Sequence, residues 1–428
     1  MLHNQHRPIG HRLKALREKN AVIFSTCGKS HDWKIDSLGE LLDDIGPRRL
    51  VVGAMKEYLQ RILVGFTLSA TAFACANSEE SDPAVDNSCN GAAPYANAGP
   101  FAAGVTTVQI EGVPTEIWYP ANKAEVEGRL KAQYDLRQWL GDSIPINEED
   151  APVFVMDAYR DVPVAESQAY PVVLFSHGLG SFRTQSSFLT SHLAQWGFVV
   201  AAPDHEERGV ALLVNNGFPE FGDSTKTFDQ VVKYLENAHQ QEDSRFYQRL
   251  DTARMMITGH SAGGSTSVDF ARDPRITSYA PLSVDTSTTL PAKPSLFMAG
   301  SFDEVIPPSR TEALHERFPQ SAENTYVLIY GAGHNVFADI CYIAEENGGL
   351  LPLARKYNVP VPDFFDFLAE DGCRPGDLKP KEAWPMIQHY VTGLAKQTLT
   401  PQDALPSYTL EAQECFGTLI EKYRDNKN

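Results

Sequence analysis

The run RMMITGHSAGG, from Arg254 to Gly264, constrains this chain more than any other stretch. Apolar, strand-forming residues lead straight into Gly259-His260-Ser261-Ala262-Gly263. A serine held at the tip of a sharp strand-to-helix turn needs glycines two residues before and two after it, because a Cβ there would collide with the neighbouring strand or the new helix. The pattern therefore predicts a strand, a strained turn and a helix, with the Ser261 hydroxyl presented at the end of a sheet. An ordinary glycine-rich turn closing a core strand could carry the same five residues. What lies upstream and downstream decides between the two.

From residue 100 onward, short β-type runs alternate with helical stretches, the pattern of a mostly parallel sheet. Eight strands are expected, at residues 105–110, 115–120, 171–176, 198–203, 255–259, 276–284, 295–300 and 325–331. Phe188, Leu189, His192, Leu193 and Trp196 recur at helical spacing, as do Phe228, Val231, Val232, Leu235 and His239, so amphipathic helices are expected over 184–196 and 226–239. Together with the serine turn, this is the α/β-hydrolase fold, an eight-stranded sheet with helices on both faces. It is expected as a single domain over 101–428, since 428 residues with 42% hydrophobic content can build one large core with insertions. Residues 121–169 and 342–428 interrupt the alternation, and either could roof a site or decorate a sheet edge.

A serine alcohol is a weak nucleophile until a base takes its proton, and the base needs a carboxylate to orient it and stabilise the imidazolium. In this fold the chain order is Ser, acid, His. Of the 12 histidines, His334 in IYGAGHNVFAD follows the last expected strand and is the expected base. His260 is expected to point back into structure, and His315 and His389 fall in helical stretches. Asp303, in SFDEVIPP after the seventh strand, is the favoured acid; Asp285, after the sixth, is the alternative. The oxyanion of a tetrahedral intermediate needs two backbone donors. Ala262, just after the serine, and Leu179, in the Ser176-His177-Gly178-Leu179-Gly180 loop, are expected to supply them. This chemistry needs no metal or organic cofactor, and no Cys or His spacing suits zinc.

The N-terminal region reads differently. Residues 62–74, ILVGFTLSATAFA, are too short an apolar run to span a bilayer and right for the core of a signal peptide, with the short basic stretch from Met55 to Arg61 ahead of it. Met55 is then the expected start, 1–54 an upstream extension, and 55–75 the signal. Small residues before Cys75 allow either plain cleavage or lipid attachment there, so a secreted, periplasmic or anchored product is expected. Residues 76–100 read as a disordered tether. Four cysteines remain in the exported part, Cys89, Cys341, Cys373 and Cys415, which allow three connectivities. Cys341 with Cys373 is preferred, because it would close a loop-rich segment. The formal charge of −18 argues against nucleic acid or an anionic membrane surface as partner and favours a small neutral ester or lipid. Oligomeric state is not legible.

The stretch from Val172 to Gly209, together with GHSAGG and GAGHNVFAD, resembles the secreted platelet-activating factor acetylhydrolases and their bacterial relatives, a group close to cutinase-type polyester hydrolases. The resemblance covers residues 100–341. It implies a calcium-independent serine esterase acting on short or oxidised acyl chains of phospholipids, or on comparable small esters. It also implies Ser261 as nucleophile, His334 as base, and Leu179 with Ala262 as oxyanion donors. The relatives disagree on the acid: acetylhydrolases place it at the station of Asp285, polyester hydrolases at that of Asp303. Non-catalytic binding modules of this fold typically lack one member of the triad, and this chain keeps all three.

Overall fold

The computed structural model describes residues 91–426 apart from 136, 141–152, 167, 216–223, 346–347 and 363–364. The described residues fall within one compact unit, Pro83–Asn428. The expected extension 1–54, signal 55–75 and Cys89 lie outside them. Among the described residues, no helix is long and apolar enough to cross a membrane.

Among the described residues twelve strands are formed: β1 Ala102–Ile110, β2 Val113–Ala121, β3 Gln133–Asp135, β4 Val153–Val155, β5 Tyr159–Arg160, β6 Tyr170–Ser176, β7 Val199–Pro203, β8 Leu250–His260, β9 Ile276–Leu282, β10 Ser295–Gly300, β11 Asn324–Ile329 and β12 Ile420–Asp425. Ten of them build one sheet in the order β12-β11-β10-β9-β8-β6-β7-β2-β1-β5, and β3 pairs with β4 separately. The run from β7 through β6, β8, β9 and β10 to β11 is parallel, while β2 and β12 pair antiparallel at its two ends. All eight expected strands are present, and the sheet has two more. β5 is only two residues long, and β12, IEKYRD, is a charged, half-exposed edge strand with no continuous apolar run.

Because side chains alternate along a strand, β6 feeds both faces: Val173 and Phe175 enter one hydrophobic cluster, Val172 and Leu174 the other. The helix Thr225–Gln240 covers the second face with Phe228, Val231, Val232 and Leu235, as its periodicity predicts. The helix Ser187–Gln195 departs from expectation, for it is buried on all sides rather than amphipathic. Helix Pro380–Leu399 of the C-terminal extension packs over it, with Trp384 stacked on Phe188 at 4.5 Å between ring centroids.

The expected tether is corrected over its last ten residues. Tyr95 is fully buried, edge-on to Trp196 at 4.8 Å; its carbonyl accepts from His192 Nε2 at 2.9 Å and its hydroxyl from Leu405 N–H at 2.6 Å. The buried ring acts together with other contacts that tie this polar stretch down, Trp196 Nε1–H donating to the Asn97 carbonyl at 2.9 Å and Ala93 being fully buried.

Chain connectivity places the site. The chain passes from β6 outward to β7, then returns across β6 to β8, so the crossover directions reverse between β6 and β8. In an open parallel sheet, the loops at such a switch point part and leave a crevice at the strands' carboxyl ends.

Candidate active site

Ser261 sits at the carboxyl end of β8 with φ 58° and ψ −121°, a backbone conformation that side-chain-bearing residues rarely hold. The flanking glycines are sterically required. A Cβ on Gly259 would lie 2.4 Å from the Gly263 carbonyl oxygen, and one on Gly263 would lie 2.0 Å from that of Ser176 in the next strand. The Ser261 amide is tied to the Leu282 carbonyl at 2.9 Å, and the helix Ala262–Phe270 begins with the next residue.

β10 and β11 carry the other two groups to the same rim. Asp303 follows β10 and His334 follows β11; both are buried, and His334 Nδ1–H donates to Asp303 Oδ2 at 2.9 Å. The same carboxylate accepts from the Ser283 hydroxyl through Oδ2 and from Ile306 N–H through Oδ1 at 2.7 Å. These bonds leave His334 Nε2 buried and without a hydrogen-bond partner, and His334 and Ser261 line the same pocket. Asp285 is not brought to this group. The backbone turns at Ser283, φ 48°, and the Asp285 side chain is 47% exposed with Arg310 at 3.8 Å. It is Ser283 that reaches the histidine's carboxylate from the end of β9.

The loop after β6 is fastened from several sides. Gly178 N–H donates to Gln185 Oε1 at 2.8 Å and Gly180 N–H to the Arg208 carbonyl at 2.8 Å, so both amides flanking Leu179 are engaged. Arg208 Nη2 donates to the His177 carbonyl at 3.1 Å and to Ser176 Oγ at 2.9 Å. His177 accepts from His205 N–H through Nε2 at 2.8 Å, which puts its ring proton on Nδ1, bonded to the Gly178 carbonyl at 2.8 Å. Burial, followed by the nearby His205 and Arg208, holds the His177 ring well below the usual histidine range, so it stays neutral. Ala262 opens a helix, and its N–H is among those with no partner inside that helix.

His260 does not turn away from the site as expected. It lies against His334 with ring centroids 4.5 Å apart and lines the same pocket, its Nδ1 accepting from Gln185 Nε2 at 3.0 Å. Burial, then the neighbouring His334, pushes its pKa well down, so the His260 ring stays neutral. Gln185 thus supports both the loop and His260. Its place in SFRTQSSFLT, in the turn ahead of the helix Ser187–Gln195, carries no sequence signal of that role.

The pocket over Ser261 is a cavity of about 110 Å³ with no charged side chain in its lining. The two interruptions of the α/β pattern roof it. Trp139 and Leu140 come from the earlier one, Trp139 stacked on Phe182 with centroids 3.7 Å apart, and Leu351, Leu353, Phe365 and Leu368 from the later one. A disulfide joins Cys341 to Cys373 across this later roof, the pairing preferred from sequence, and Cys415 is disulfide-bonded as well. Among the described residues, no group of three or more His, Cys, Asp or Glu side chains is arranged to hold a metal ion.

Comparison with known proteins points the same way as the motifs. The family described as platelet-activating factor acetylhydrolase, isoform II, matches residues 107–217, which run from β1 through the loop after β6 and past β7. A platelet-activating factor acetylhydrolase of Cavia porcellus is 22% identical over 315 residues, 62% of this chain and 70% of that protein. One of Bos taurus is 22% identical over 231 residues, 43% of this chain and 51% of the relative, and one of Canis lupus familiaris is 34% identical over 74 residues, 17% of each. By its fold, its serine turn and these similarities, the chain is an α/β-hydrolase resembling the platelet-activating factor acetylhydrolases.

Proposed function

We propose that the protein is a serine carboxylic ester hydrolase acting through an acyl-enzyme on short-chain or phospholipid-type esters. The observation that carries the reading is the pairing of Asp303 with His334 at 2.9 Å, with the imidazole's other nitrogen unpartnered in a pocket that is also lined by a serine held at a strained turn. Ser261 Oγ attacks the ester carbonyl carbon while His334 Nε2 takes its proton, and Asp303 stabilises the imidazolium that forms. Leu179 and Ala262 N–H groups receive the carbonyl oxygen as it becomes an oxyanion. Collapse of the tetrahedral intermediate breaks the bond to the alcohol, which leaves with the proton from His334. Water then attacks the acyl-enzyme by the same route, returning the proton to Ser261.

The size and neutrality of the pocket favour small uncharged acyl groups. A cavity of about 110 Å³ is below the ~150 Å³ apolar cavity that admits benzene, so a long chain would have to displace the roof. The acid's station after β10 favours a second reading, a polyester hydrolase of the cutinase type, but the roof over Ser261 argues for small or flexible esters instead. Turnover of p-nitrophenyl esters from acetate to palmitate, with fluorophosphonate labelling of Ser261, tests the proposal. Butyrate is expected to exceed palmitate. No labelling would mean a binding module, and faster palmitate turnover would overturn the short-chain reading.

A further inference from the structure

We infer that Asp371, from the C-terminal extension, is a positioning residue that holds both catalytic loops in register and adds a second negative charge behind His334; this rests on the ester-hydrolase reading above. Its carboxylate is buried and accepts three backbone N–H groups. Oδ1 takes His334 N–H at 2.9 Å; Oδ2 takes Glu304 N–H at 2.8 Å and Val305 N–H at 3.0 Å. One side chain therefore spans the loop after β10, which carries Asp303, and the loop after β11, which carries His334. Those loops belong to neighbouring parallel strands; just past the ladder they are tied by Phe302 N–H to the Ala332 carbonyl at 2.8 Å and Gly331 N–H to Ser301 Oγ at 2.9 Å, and Asp371 adds bonds to the residues that follow, Glu304, Val305 and His334.

The surroundings are built for this contact. Gly333 lacks the Cβ that would fall 2.4 Å from Asp371 Oδ1, so the glycine before His334 is what lets the carboxylate in. The Asp371 carbonyl accepts Asn335 N–H at 2.9 Å, and Asn335 Nδ2 donates back to the Leu368 carbonyl at 2.8 Å. Two residues on, Cys373 is bonded to Cys341, which anchors the turn to the chain just past His334. Asp377 Oδ2 receives Gly372 N–H and Arg374 N–H, both at 3.0 Å. Asp371 itself is not among the residues lining the pocket, so it acts on the reaction through the loops and not on the substrate.

The charged groups facing this carboxylate are Asp303 and His334 from the two loops, with Arg374 and Asp377 at the edge of its own turn; Arg374 is paired with Glu304 of the loop after β10 at 2.7 Å. Those facing His334 are Asp303, His260 and Asp371. An ionised Asp371 therefore helps Asp303 to favour the imidazolium, the form His334 takes in the transition state.

Asp371→Asn tests this. An amide at that place has one oxygen, so its NH₂ must face an N–H donor, and the bond to one of the two loops is lost, which loosens their register. A displacement of about 1 Å at a catalytic group costs on the order of 10²-fold in rate. We expect kcat for p-nitrophenyl butyrate to fall by about that factor with KM within twofold. Loss of the negative charge makes His334 easier to deprotonate, so the acid limb of kcat/KM should move to lower pH by roughly half a unit or more. A role in folding alone would lower the amount of active protein without moving the limb. An unmoved limb, or kcat within twofold of the unmodified protein, overturns the inference. Should Asp371→Asn fail to fold, Asp371→Glu keeps the charge but misplaces the oxygens: the acid limb is expected to stay while kcat falls at least tenfold, and an unchanged kcat overturns the inference. Absence of fluorophosphonate labelling in the unmodified protein is a different result, which removes the proposed function and this inference with it.

Discussion

Replacing Asp303 by asparagine tests the catalytic reading at its most specific point, because the structure dictates which way the new amide must face. Oδ1 of Asp303 accepts Ile306 N–H at 2.7 Å, so an oxygen has to remain there. The NH₂ is then turned toward the Oδ2 position, where it meets His334 Nδ1, 2.9 Å away. A donor at that place makes Nδ1 an acceptor and moves the ring proton to Nε2. With Nε2 protonated, the ring cannot take the Ser261 proton, and the charge that would stabilise an imidazolium is also gone. The corresponding substitution in a serine-protease triad costs about 10⁴-fold in turnover, or about 5.4 kcal/mol of transition-state stabilisation at about 1.36 kcal/mol per tenfold. Asp285→Asn should stay within about threefold, because that side chain is half exposed and pairs loosely with Arg310, at 3.8 Å. The assay is kcat/KM with p-nitrophenyl butyrate beside the rate of fluorophosphonate labelling, with circular dichroism to confirm that both variants fold. A crippled Asp285→Asn with an active Asp303→Asn would refute the reasoning and move the acid to the end of β9.

Three further expectations follow from packing and charge. Gly263→Ala should cost more than about 3 kcal/mol or prevent folding, since its Cβ would lie 2.0 Å from a backbone oxygen that cannot move without breaking the β6–β8 ladder; urea denaturation measures it. Opening the Cys341–Cys373 disulfide in a double serine variant releases a loop of 32 residues, for which chain entropy gives roughly 3–4 kcal/mol of lost stability. Because that loop roofs the pocket, KM for small esters should rise as well. Burial lowers His192, His205 and His389 to about 4 each, below the ordinary 6.5, so the unfolded chain takes up these protons first as pH falls. Stability should therefore drop between about pH 6.5 and 4, by up to about 1.4 kcal/mol per proton per pH unit. Asp339, raised by burial to about 7, acts in the opposite direction over the same range, and Asp339→Asn should steepen the acid loss. A stability that is flat from pH 7 to 5 would contradict the neutral buried histidines.

Local sterics and chain order made much of this protein legible before any coordinates. The glycines around Ser261 report a collision between atoms a few residues apart and a neighbouring strand, which a five-residue window already contains. Short β-type runs identified eight of the sheet's ten strands, and helical spacing found two of the covering helices. The position of His334 after the last of those strands follows from the way parallel strands present their ends on one rim.

Tertiary structure decided what depends on residues far apart in sequence. Two aspartates at successive strand ends look equivalent along the chain. A turn of positive φ at Ser283 sends Asp285 to solvent, while Asp303 is drawn inward by Ile306 N–H, Ser283 and His334. Likewise FDFLAEDGC gives no sign that Asp371 will receive amides from two loops 37 and 67 residues upstream. Tyr95 lies in a stretch whose polar composition hides its burial against Trp196 and Leu405. The edge strand β12 has no apolar alternation because neither of its faces is fully buried, and only its pairing with β11 makes it a strand. Such contacts are invisible to periodicity, since they depend on where the folded backbone brings a donor and not on the residues beside it in the chain.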